Sequence, residues 1–374
     1  MTQSRSSRLI WLALPGCFSV ALVGLLVPMP VSGRMAGSIG NMAHAPLFAG
    51  LTMLTLVLLQ TMRPQRFGSS TWIKRLLLVA VTLFVAGILV EMLQGMIGRS
   101  ASVHDAIANG LGILAASAWF VAGGLSSSVG RRSLQLLGAI FIGLTWWGPI
   151  EIIRDCLKVE SDFPRIASFE TPIEITRWHF NRGRRGRTTS NVTDGEFALR
   201  WSPKDAPHPA MTLLEVASDW SDVETLELDI VLIAKKGAAD GSQAVGSDTV
   251  ASDASSEDSV KTEPTTSAPA ISNPVPPLAT TPDRTWEVIV KVIDEDHNDY
   301  HHDVAKHYVT LRSGEPQHVI FPRQSMIDGP KDRKLDMTRI KMVSLLISEP
   351  GPGIELNVDH LHATLKPSGD PPTP

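Results

Sequence analysis

The feature that most constrains the fold is a series of long apolar segments in the first 155 residues. A helix needs about 20 apolar residues to cross the hydrocarbon core of a bilayer. Five segments approach or exceed that length, namely Leu9–Val31, Met42–Met62, Ile73–Gln94, Val103–Leu125 and Leu134–Ile153. Because lipid offers no hydrogen-bond partners to the backbone, such segments must be helical. The sequence therefore predicts an α-helical membrane bundle of about five transmembrane helices over residues 1–155.

The charges are distributed unevenly along the chain and predict its orientation. Residues 1–150 carry a net charge of +8 and the remaining residues a net charge of −12. The basic residues cluster before the first segment, between the second and third, and between the fourth and fifth. The positive-inside rule therefore predicts a cytoplasmic N-terminus in the cell membrane and an extracytoplasmic C-terminal half. The lipid bilayer is a predicted partner, whereas this composition excludes a fully soluble enzyme and a nucleic-acid-binding protein with a basic core.

Polar residues gather at the predicted outer membrane boundary. They are His44, Glu91, Gln94, Arg99, Ser102, Asp105 and Asn109. Ionisable groups within membrane helices usually face the bundle interior and carry function, so these residues form a candidate polar site. A structural interpretation is equally open. Ser102 and Asp105 have the spacing of a capping box, and Glu91 with Arg99 could be an ion pair that closes a helical hairpin.

The order and spacing of the residues from Glu91 to Gly112 resemble the VanZ-like family. Its signature runs E-x-x-Q, then R, then S or D, then N-x-x-G across two membrane helices. His44 looks like the family's histidine at the start of the preceding helix, and the resemblance covers roughly residues 10–125. Gly40 and Asn41 stand where the family often has Asp-Lys, so no role that needs that acid–base pair is implied. The resemblance implies a membrane protein of the cell envelope.

Beyond Phe163 the pattern changes to short segments that alternate apolar and polar residues. The ten predicted strands are Ile166–Glu170, Ile173–Phe180, Phe197–Trp201, Met211–Val216, Thr225–Ile233, Trp286–Asp294, Ala305–Leu311, Gln317–Phe321, Lys341–Ile347 and Ile354–Leu365. Such a series without helices predicts an all-β jelly-roll sandwich over residues 163–366. Residues 237–283 contain no aromatic side chain and are rich in Ala, Ser, Thr, Asp and Pro. They predict a disordered insertion within the sandwich.

Three segments of this half resemble the jelly-roll carbohydrate-binding-like modules with the galactose-binding-like fold. They are Ala167–Glu170, Thr193–Leu199 and Ile354–Leu361. Some members of that group hold a structural calcium ion near these positions. The resemblance therefore implies Glu170, Asp194 and Asp359 as candidate calcium ligands. The alternative is that these acids are ordinary turn and strand-end carboxylates in water. No other cofactor is predicted.

The polar segment after the strand Trp286–Asp294 is a second candidate site. Asp296, His297, Asn298 and Tyr300 could bind sugar hydroxyls, although the pattern favours a solvated hairpin loop. Four tryptophans are predicted to lie in the core, namely Trp178, Trp201, Trp220 and Trp286. The Arg-rich segment 182–187 is predicted to be a mobile loop, with contact to anionic lipid or wall polymer as the alternative.

The sequence shows no nucleophile–base pair, phosphate-binding loop or zinc motif. It therefore favours a non-enzymatic, multi-pass cell-envelope membrane protein that presents an extracytoplasmic β-sandwich for binding glycan or cell-surface polymer. The alternative is an intramembrane enzyme that processes the head group of a lipid-linked precursor with Glu91, Arg99, Asp105 and His44. The sequence sets neither the ligand nor the oligomeric state.

Overall fold

A computed structural model describes residues 33–96, 102–204, 206–235 and 284–367. The chain divides into two compact units, Met1–Lys158 and Val159–Pro374. We call them the helical unit and the sandwich unit. The first predicted apolar segment, Leu9–Val31, and the predicted insertion at 237–283 lie outside the described residues.

The described part of the helical unit consists of long helices. They are α1 (Arg34–Met62), α2 (Ser70–Met96), α3 (Val103–Gly124) and α4 (Ser128–Asp162), the last of which runs on to the start of the sandwich unit. All four are long and apolar enough to cross a membrane, judged by length and composition. Many of their large apolar side chains are exposed, among them Leu78 on α2 and Trp147 on α4. Exposed apolar side chains in such number are expected where lipid is the solvent.

Glycines allow the first three helices to approach one another closely. A Cβ atom added at Gly112 of α3 would lie 2.2 Å from the carbonyl oxygen of Ala45 on α1. One added at Gly87 of α2 would lie 3.2 Å from the ring of Phe48 and 3.3 Å from the side-chain nitrogen of Asn109. Small residues at such crossings let helix backbones pack tightly in membranes. The polar residues on these helices are thereby held near each other.

The sandwich unit consists of two sheets whose ladders are antiparallel. Its strands are β1 (Arg165–Ala167), β2 (Trp178–Phe180), β3 (Arg184–Thr188), β4 (Ala198–Ser202), β5 (Ala210–Leu213), β6 (Val223–Ala234), β7 (Thr285–Asp294), β8 (Ala305–Arg312), β9 (Pro316–Pro322), β10 (Ile340–Ile347) and β11 (Ile354–Leu365). One sheet has the order β3-β4-β11-β6-β9, with β1 also paired to β11, and the other has the order β2-β5-β10-β7-β8. A five-residue helix, α5 (Arg323–Ile327), follows β9.

The chain passes between the two sheets as a jelly roll requires. From β4 to β7 each successive strand lies in the other sheet, and β9, β10 and β11 alternate again. One apolar core lies between the sheets and draws residues from both. The four tryptophans predicted to be core residues are all buried, which confirms that prediction. A helical region followed by a β-sandwich is also confirmed, whereas the described residues show four membrane-length helices and not five.

Two local predictions were wrong. The predicted strand Ile173–Phe180 begins instead as a 3₁₀ helix over Pro172–Arg177, and only its last three residues form β2. Within this 3₁₀ helix, the Glu174 carboxylate accepts hydrogen bonds from the backbone amides of Ser168 and Phe169 at 2.9 and 2.8 Å. These side-chain bonds stabilise a turn where the apolar pattern alone predicted an extended strand.

The Arg-rich segment is the second correction, because it forms the edge strand β3 and not a mobile loop. Its backbone pairs with β4 from Arg184 to Thr188. The guanidinium of Arg185 lies 5.1 Å from the ring centroid of Phe180, and that of Arg187 lies 4.1 Å from the ring centroid of Phe197. These cation–π contacts let a charged sequence cover aromatic rings, and charged side chains also protect an exposed sheet edge.

Candidate functional site

Three helices bring polar side chains together inside the helical unit. His44 comes from α1, Glu91 from α2, and Asp105 and Asn109 from α3; each is at most 9% exposed. We call these four residues the polar cluster. One donor atom each from His44, Glu91 and Asp105 lies within 4.8 Å of the other two. In the described part of the chain, this is the one group of three or more His, Cys, Asp or Glu side chains that meets this spacing.

The hydrogen bonds of the polar cluster are incomplete. His44 Nδ1 lies 3.1 Å from Asn109 Oδ1, and the imidazole N–H donates to the amide oxygen when Nδ1 carries the proton. The same Nδ1 lies 3.7 Å from Glu91 Oε1. Within the described residues, neither oxygen of the Glu91 carboxylate accepts a hydrogen bond of ordinary geometry, although the Asn109 side chain and the Ser102 amide lie close to it. The Asn109 side-chain nitrogen likewise donates no such bond there. A buried carboxylate without close partners is costly, so this arrangement leaves room for a cation.

The other residues of the predicted membrane-boundary site have separate placements. Ser102 is the N-cap of α3, and its hydroxyl accepts a hydrogen bond from the Asp105 amide at 3.4 Å. The cap is thus confirmed for the Asp105 backbone, while the Asp105 side chain belongs to the polar cluster. Gln94 is buried near the end of α2. Arg99 lies outside the described residues.

Two of the predicted calcium ligands stabilise one turn of the sandwich. Glu170 Oε1 accepts hydrogen bonds from the amides of Glu196 and Phe197 at 2.8 and 3.1 Å. Asp359 Oδ2 accepts hydrogen bonds from the amides of Thr193 and Asp194, at 2.7 and 3.0 Å. The turn over 193–197 is therefore clamped by a carboxylate on each side.

Glycine is required within that turn. Gly195 has φ of +75°, and a Cβ atom there would lie 2.1 Å from Glu170 Oε1. The Asp194 carboxylate lies 3.5 Å from His360 Nδ1. Among the described residues, Glu170, Asp194 and Asp359 do not bring their oxygens within 4.8 Å of one another. The calcium site remains a prediction.

The loop after β7 borders an open hollow of about 500 Å³. It is lined by Asn298, Asp299, His302, Asp303, Lys331, Asp332 and Arg333. Arg333 holds this region together, because its guanidinium bonds both oxygens of the fully buried Asp294 and contacts Asp303 Oδ1 at 2.5 Å. Burial raises the pKa of Asp294, but the hydrogen bonds from Arg333 and from the Asp336 amide outweigh burial and hold that pKa below its ordinary value.

Of the four predicted ligand-loop residues, one lines this hollow, namely Asn298. Tyr300 is 52% exposed, and its ring lies 4.7 Å from that of His297, centroid to centroid. The Tyr300 carbonyl accepts a hydrogen bond from the Lys291 ammonium at 3.1 Å, which fixes the loop against β7. The loop therefore carries an exposed aromatic ring two residues after Asn298, which lines the hollow.

Sequence reasoning missed the residue that organises the hollow. Asp296 forms an exposed ion pair with Arg339 at 3.0 Å, whereas Arg333 makes the buried contacts. The available signal was Asp294 itself, because an acid at the end of an otherwise apolar strand needs a cation when that strand is buried. Nothing in the sequence around Arg333 distinguished it from its charged neighbours.

Comparison with known proteins leaves the family open. No family model matches the chain, and no curated protein matches it. An exo-β-agarase structure is 13% identical with a TM-score of 0.34, and the match covers 54% of this chain and 24% of that enzyme. A family 11 carbohydrate-binding module from Clostridium thermocellum, in complex with a β-1,3-1,4-mixed-linked tetrasaccharide, is 10% identical with a TM-score of 0.32, over 53% of this chain and 92% of the module.

A third structure is a carbohydrate-binding module specific for non-crystalline cellulose. It is 8% identical with a TM-score of 0.33, over 55% of this chain and 95% of the module. The present chain therefore spans about a quarter of the agarase but most of each module. Likenesses at these TM-scores assign no ligand to the sandwich, and the VanZ-like assignment of the helical unit stays a prediction.

Proposed function

We propose that the protein is a multi-pass, VanZ-like membrane protein of the cell envelope that presents an extracytoplasmic β-sandwich for binding glycan or cell-surface polymer. Four helices of membrane-spanning length and composition support the membrane part. The basic residues before Leu9 and between the apolar segments support a cytoplasmic N-terminus and a sandwich outside the membrane.

The single observation that carries the binding function is the hollow beside the loop after β7. Specific small-molecule sites combine a concave surface with a few well-placed polar groups. Here the Asn298 amide, the carboxylates of Asp299 and Asp332 and the Arg333 guanidinium surround one open space of about 500 Å³. These groups match sugar hydroxyls as donors and acceptors. Tyr300 adds an exposed ring whose apolar face and hydroxyl suit a sugar ring.

The glycan-binding proposal is tested with the full chain in detergent and a panel of soluble polysaccharides and peptidoglycan fragments. Isothermal titration should show binding that Tyr300→Ala weakens by about tenfold or more, since an aromatic anchor contributes about 2 kcal/mol. Tyr308→Ala is the matched control, because the chain's other tyrosine is 56% exposed on the strand β8 and not on the loop after β7. Absence of binding to every glycan would reject the function, and a loss confined to Tyr308→Ala would reject the site.

The proposed orientation has its own experiment. Alkaline phosphatase fused after Lys366 folds only outside the cytoplasm, so the fusion should be active in intact cells. A fluorescent protein fused at the same position and exported unfolded should stay dark. An inactive phosphatase with a bright fluorescent fusion would place the sandwich in the cytoplasm and contradict the proposal.

A second candidate function is processing of a lipid-linked precursor's head group by the polar cluster together with Arg99. The observation that favours it is the meeting of three buried titratable side chains within 4.8 Å. In vesicles containing a polyprenyl-linked saccharide, the reconstituted protein should convert the head group, as followed by mass spectrometry. Glu91→Gln should abolish conversion, whereas deletion of residues 163–374 should preserve it. An unchanged head group with the wild-type protein would reject this function.

A further inference from the structure

We infer that the polar cluster is a binding site for one divalent transition-metal ion of the Zn²⁺ or Mn²⁺ type. Its donor set comprises the imidazole of His44, the carboxylates of Glu91 and Asp105, and the amide oxygen of Asn109. Imidazole nitrogen combined with carboxylate oxygen suits these ions better than Ca²⁺ or Mg²⁺, which prefer oxygen alone. This site does not depend on glycan binding by the sandwich.

The distances between donors fit a shared ion. Ligand atoms that bind one Zn²⁺ ion at about 2.0–2.2 Å lie roughly 3–4 Å from one another. His44 Nδ1 lies 3.1 Å from Asn109 Oδ1 and 3.7 Å from Glu91 Oε1. Asp105 completes a set whose donor atoms all lie within 4.8 Å. Small rotations of these side chains bring all four donors onto one ion.

The unsatisfied carboxylate is an independent indication of a cation. Glu91 is 5% exposed, and neither of its oxygens accepts a hydrogen bond of ordinary geometry from the part of the chain that the structure describes. A second carboxylate, that of Asp105, lies in the same cluster, so two like charges share a buried space. A divalent ion neutralises both charges and replaces the missing partners, because buried charges are stable only when paired or coordinated to a metal.

Another buried acid of the helical unit shows what an ordinary ion pair looks like in this protein. The Asp155 carboxylate on α4 lies 3.0 Å from the Arg34 guanidinium at the start of α1. Asp155 is as deeply buried as Glu91, yet a basic side chain compensates its charge. The polar cluster instead combines a histidine with two acids, which is the composition of a metal site.

Close helix packing keeps the donors within reach of one another. Gly87 lies against the Asn109 side chain, and Gly112 lies against the Ala45 backbone next to His44. A larger residue at Gly112 would push α1 away from α3, because the obstructing atom belongs to the backbone. The helices are therefore set at the separation that four short side chains can bridge.

The test uses the full chain, purified in detergent without a histidine tag and stripped of metal with a chelator. Titration with Zn²⁺ and with Mn²⁺, followed by elemental analysis after desalting, should give one tightly bound ion per chain. Glu91→Gln should weaken binding by more than about 100-fold, since even residues that only hydrogen-bond to metal ligands change affinity by roughly 10–100-fold. Asp155→Asn is the matched control and should bind the ion as the wild type does.

A spectroscopic measurement keeps the proposal testable when a variant does not fold. Pulsed electron paramagnetic resonance of Mn²⁺ bound to the wild-type chain should show coupling to one imidazole nitrogen. His44→Gln should remove that coupling. The proposal is overturned by failure to bind one ion per chain, by equal affinity in the wild type and Glu91→Gln, or by a bound ion without a nitrogen ligand.

Discussion

The helical and sandwich units differ in the hydrogen bonds that their buried carboxylates accept. In the sandwich unit, Asp294, Glu174 and Asp359 each accept several hydrogen bonds from backbone amides or from arginine. In the helical unit, Glu91 is similarly buried and accepts no hydrogen bond of ordinary geometry from the described residues. Since an unsatisfied buried charge lowers stability, the sandwich acids are explained by the contacts that the fold itself provides. For Glu91, the proposed ion would provide the missing contacts.

The largest effect in the sandwich unit is expected when Arg333, the cation that compensates the Asp294 carboxylate, is removed. Arg333→Ala leaves a fully buried carboxylate without its cation, and we expect a loss of about 3–5 kcal/mol in the free energy of unfolding of the sandwich. Hydrogen–deuterium exchange of the β7 and β10 peptides in the full chain measures this loss. Arg339→Ala is the control, since its ion pair with Asp296 is exposed on both sides and should contribute at most about 1 kcal/mol. Equal effects of the two substitutions would contradict the distinction.

A substitution at the α1–α3 crossing tests whether close packing holds the polar cluster. Gly112→Ala places a Cβ atom 2.2 Å from a backbone oxygen, so overpacking should destabilise the helical unit by about 1–3 kcal/mol. Gly123→Ala on the same helix is the control, because nothing lies within 4 Å of its added Cβ. Thermal unfolding in detergent compares the two variants. If Gly112→Ala unfolds at the same temperature as the wild type, the helices can move apart without loss of stability, and the prediction is wrong.

Much of this architecture could be predicted from the sequence, because apolar periodicity reports which face of an element is buried. The helices, most strands and the choice of His44, Glu91 and Asp105 as members of one site followed from residue spacing, and the structure brings these three side chains together. The Arg-rich strand β3 could not be predicted in this way, since its arginines lie over Phe180 and Phe197 in cation–π contacts that apolar periodicity does not report. The role of Arg333 was hidden for a different reason, because its partner Asp294 lies 39 residues away.

Substitution of Glu174 measures how much a sandwich carboxylate contributes to stability when it accepts hydrogen bonds from backbone amides. Burial raises the pKa of Glu174. Hydrogen bonds from the Ser168 and Phe169 amides and from the Thr171 hydroxyl outweigh burial, so the pKa lies below its ordinary value. Phe169 has φ of +60°, so these bonds also hold a strained backbone. Glu174→Gln should therefore lower the free energy of unfolding by about 1.5–3 kcal/mol at neutral pH, the range for hydrogen bonds to charged groups.

The pH dependence of the Glu174 effect has a definite sign. A lowered pKa in the folded state gives stabilisation that is complete above the unfolded pKa of about 4.3 and is lost as the pH falls through the folded value. The difference between wild type and Glu174→Gln should therefore shrink in acid, as followed by hydrogen exchange of the β1 and β2 peptides. Glu295→Gln, which removes an exposed acid, is the control. A difference that is constant down to pH 2 would contradict the assignment.

Glu91→Gln tests the buried carboxylate of the helical unit. Unlike substitution of Glu174, it should not lower the stability of the metal-free protein. In metal-stripped protein, the neutral side chain removes an uncompensated buried charge, so the thermal midpoint should stay the same or rise. With Zn²⁺ or Mn²⁺ present the order should reverse, because only the wild type gains stability from the bound ion. A lower midpoint for the variant in metal-free protein would show that a cation beyond the described residues, such as Arg99, already compensates Glu91.

The smallest expected change in stability comes from His318, an exposed histidine of the sandwich unit. The hydrogen bond to Asp229, at 2.7 Å, raises the pKa of His318 on β9, and Glu227 adds to this at 3.3 Å. A raised pKa stabilises the fold fully below the unfolded pKa of about 6.5, and this stabilisation is lost as the pH rises through the folded value. Because His318 is 45% exposed, the effect should stay below about 1 kcal/mol and weaken with salt.

His318→Gln should accordingly lower the unfolding midpoint of the sandwich more at pH 5.5 than at pH 8.5. Hydrogen exchange of the β6 and β9 peptides in the full chain measures the difference, and a pH-independent effect would contradict it. His44 provides the contrast, because it is buried beside two acids and its proposed role is to bind a metal ion. His318→Gln should therefore leave metal binding by the helical unit unchanged, and this separates the two kinds of histidine–carboxylate site.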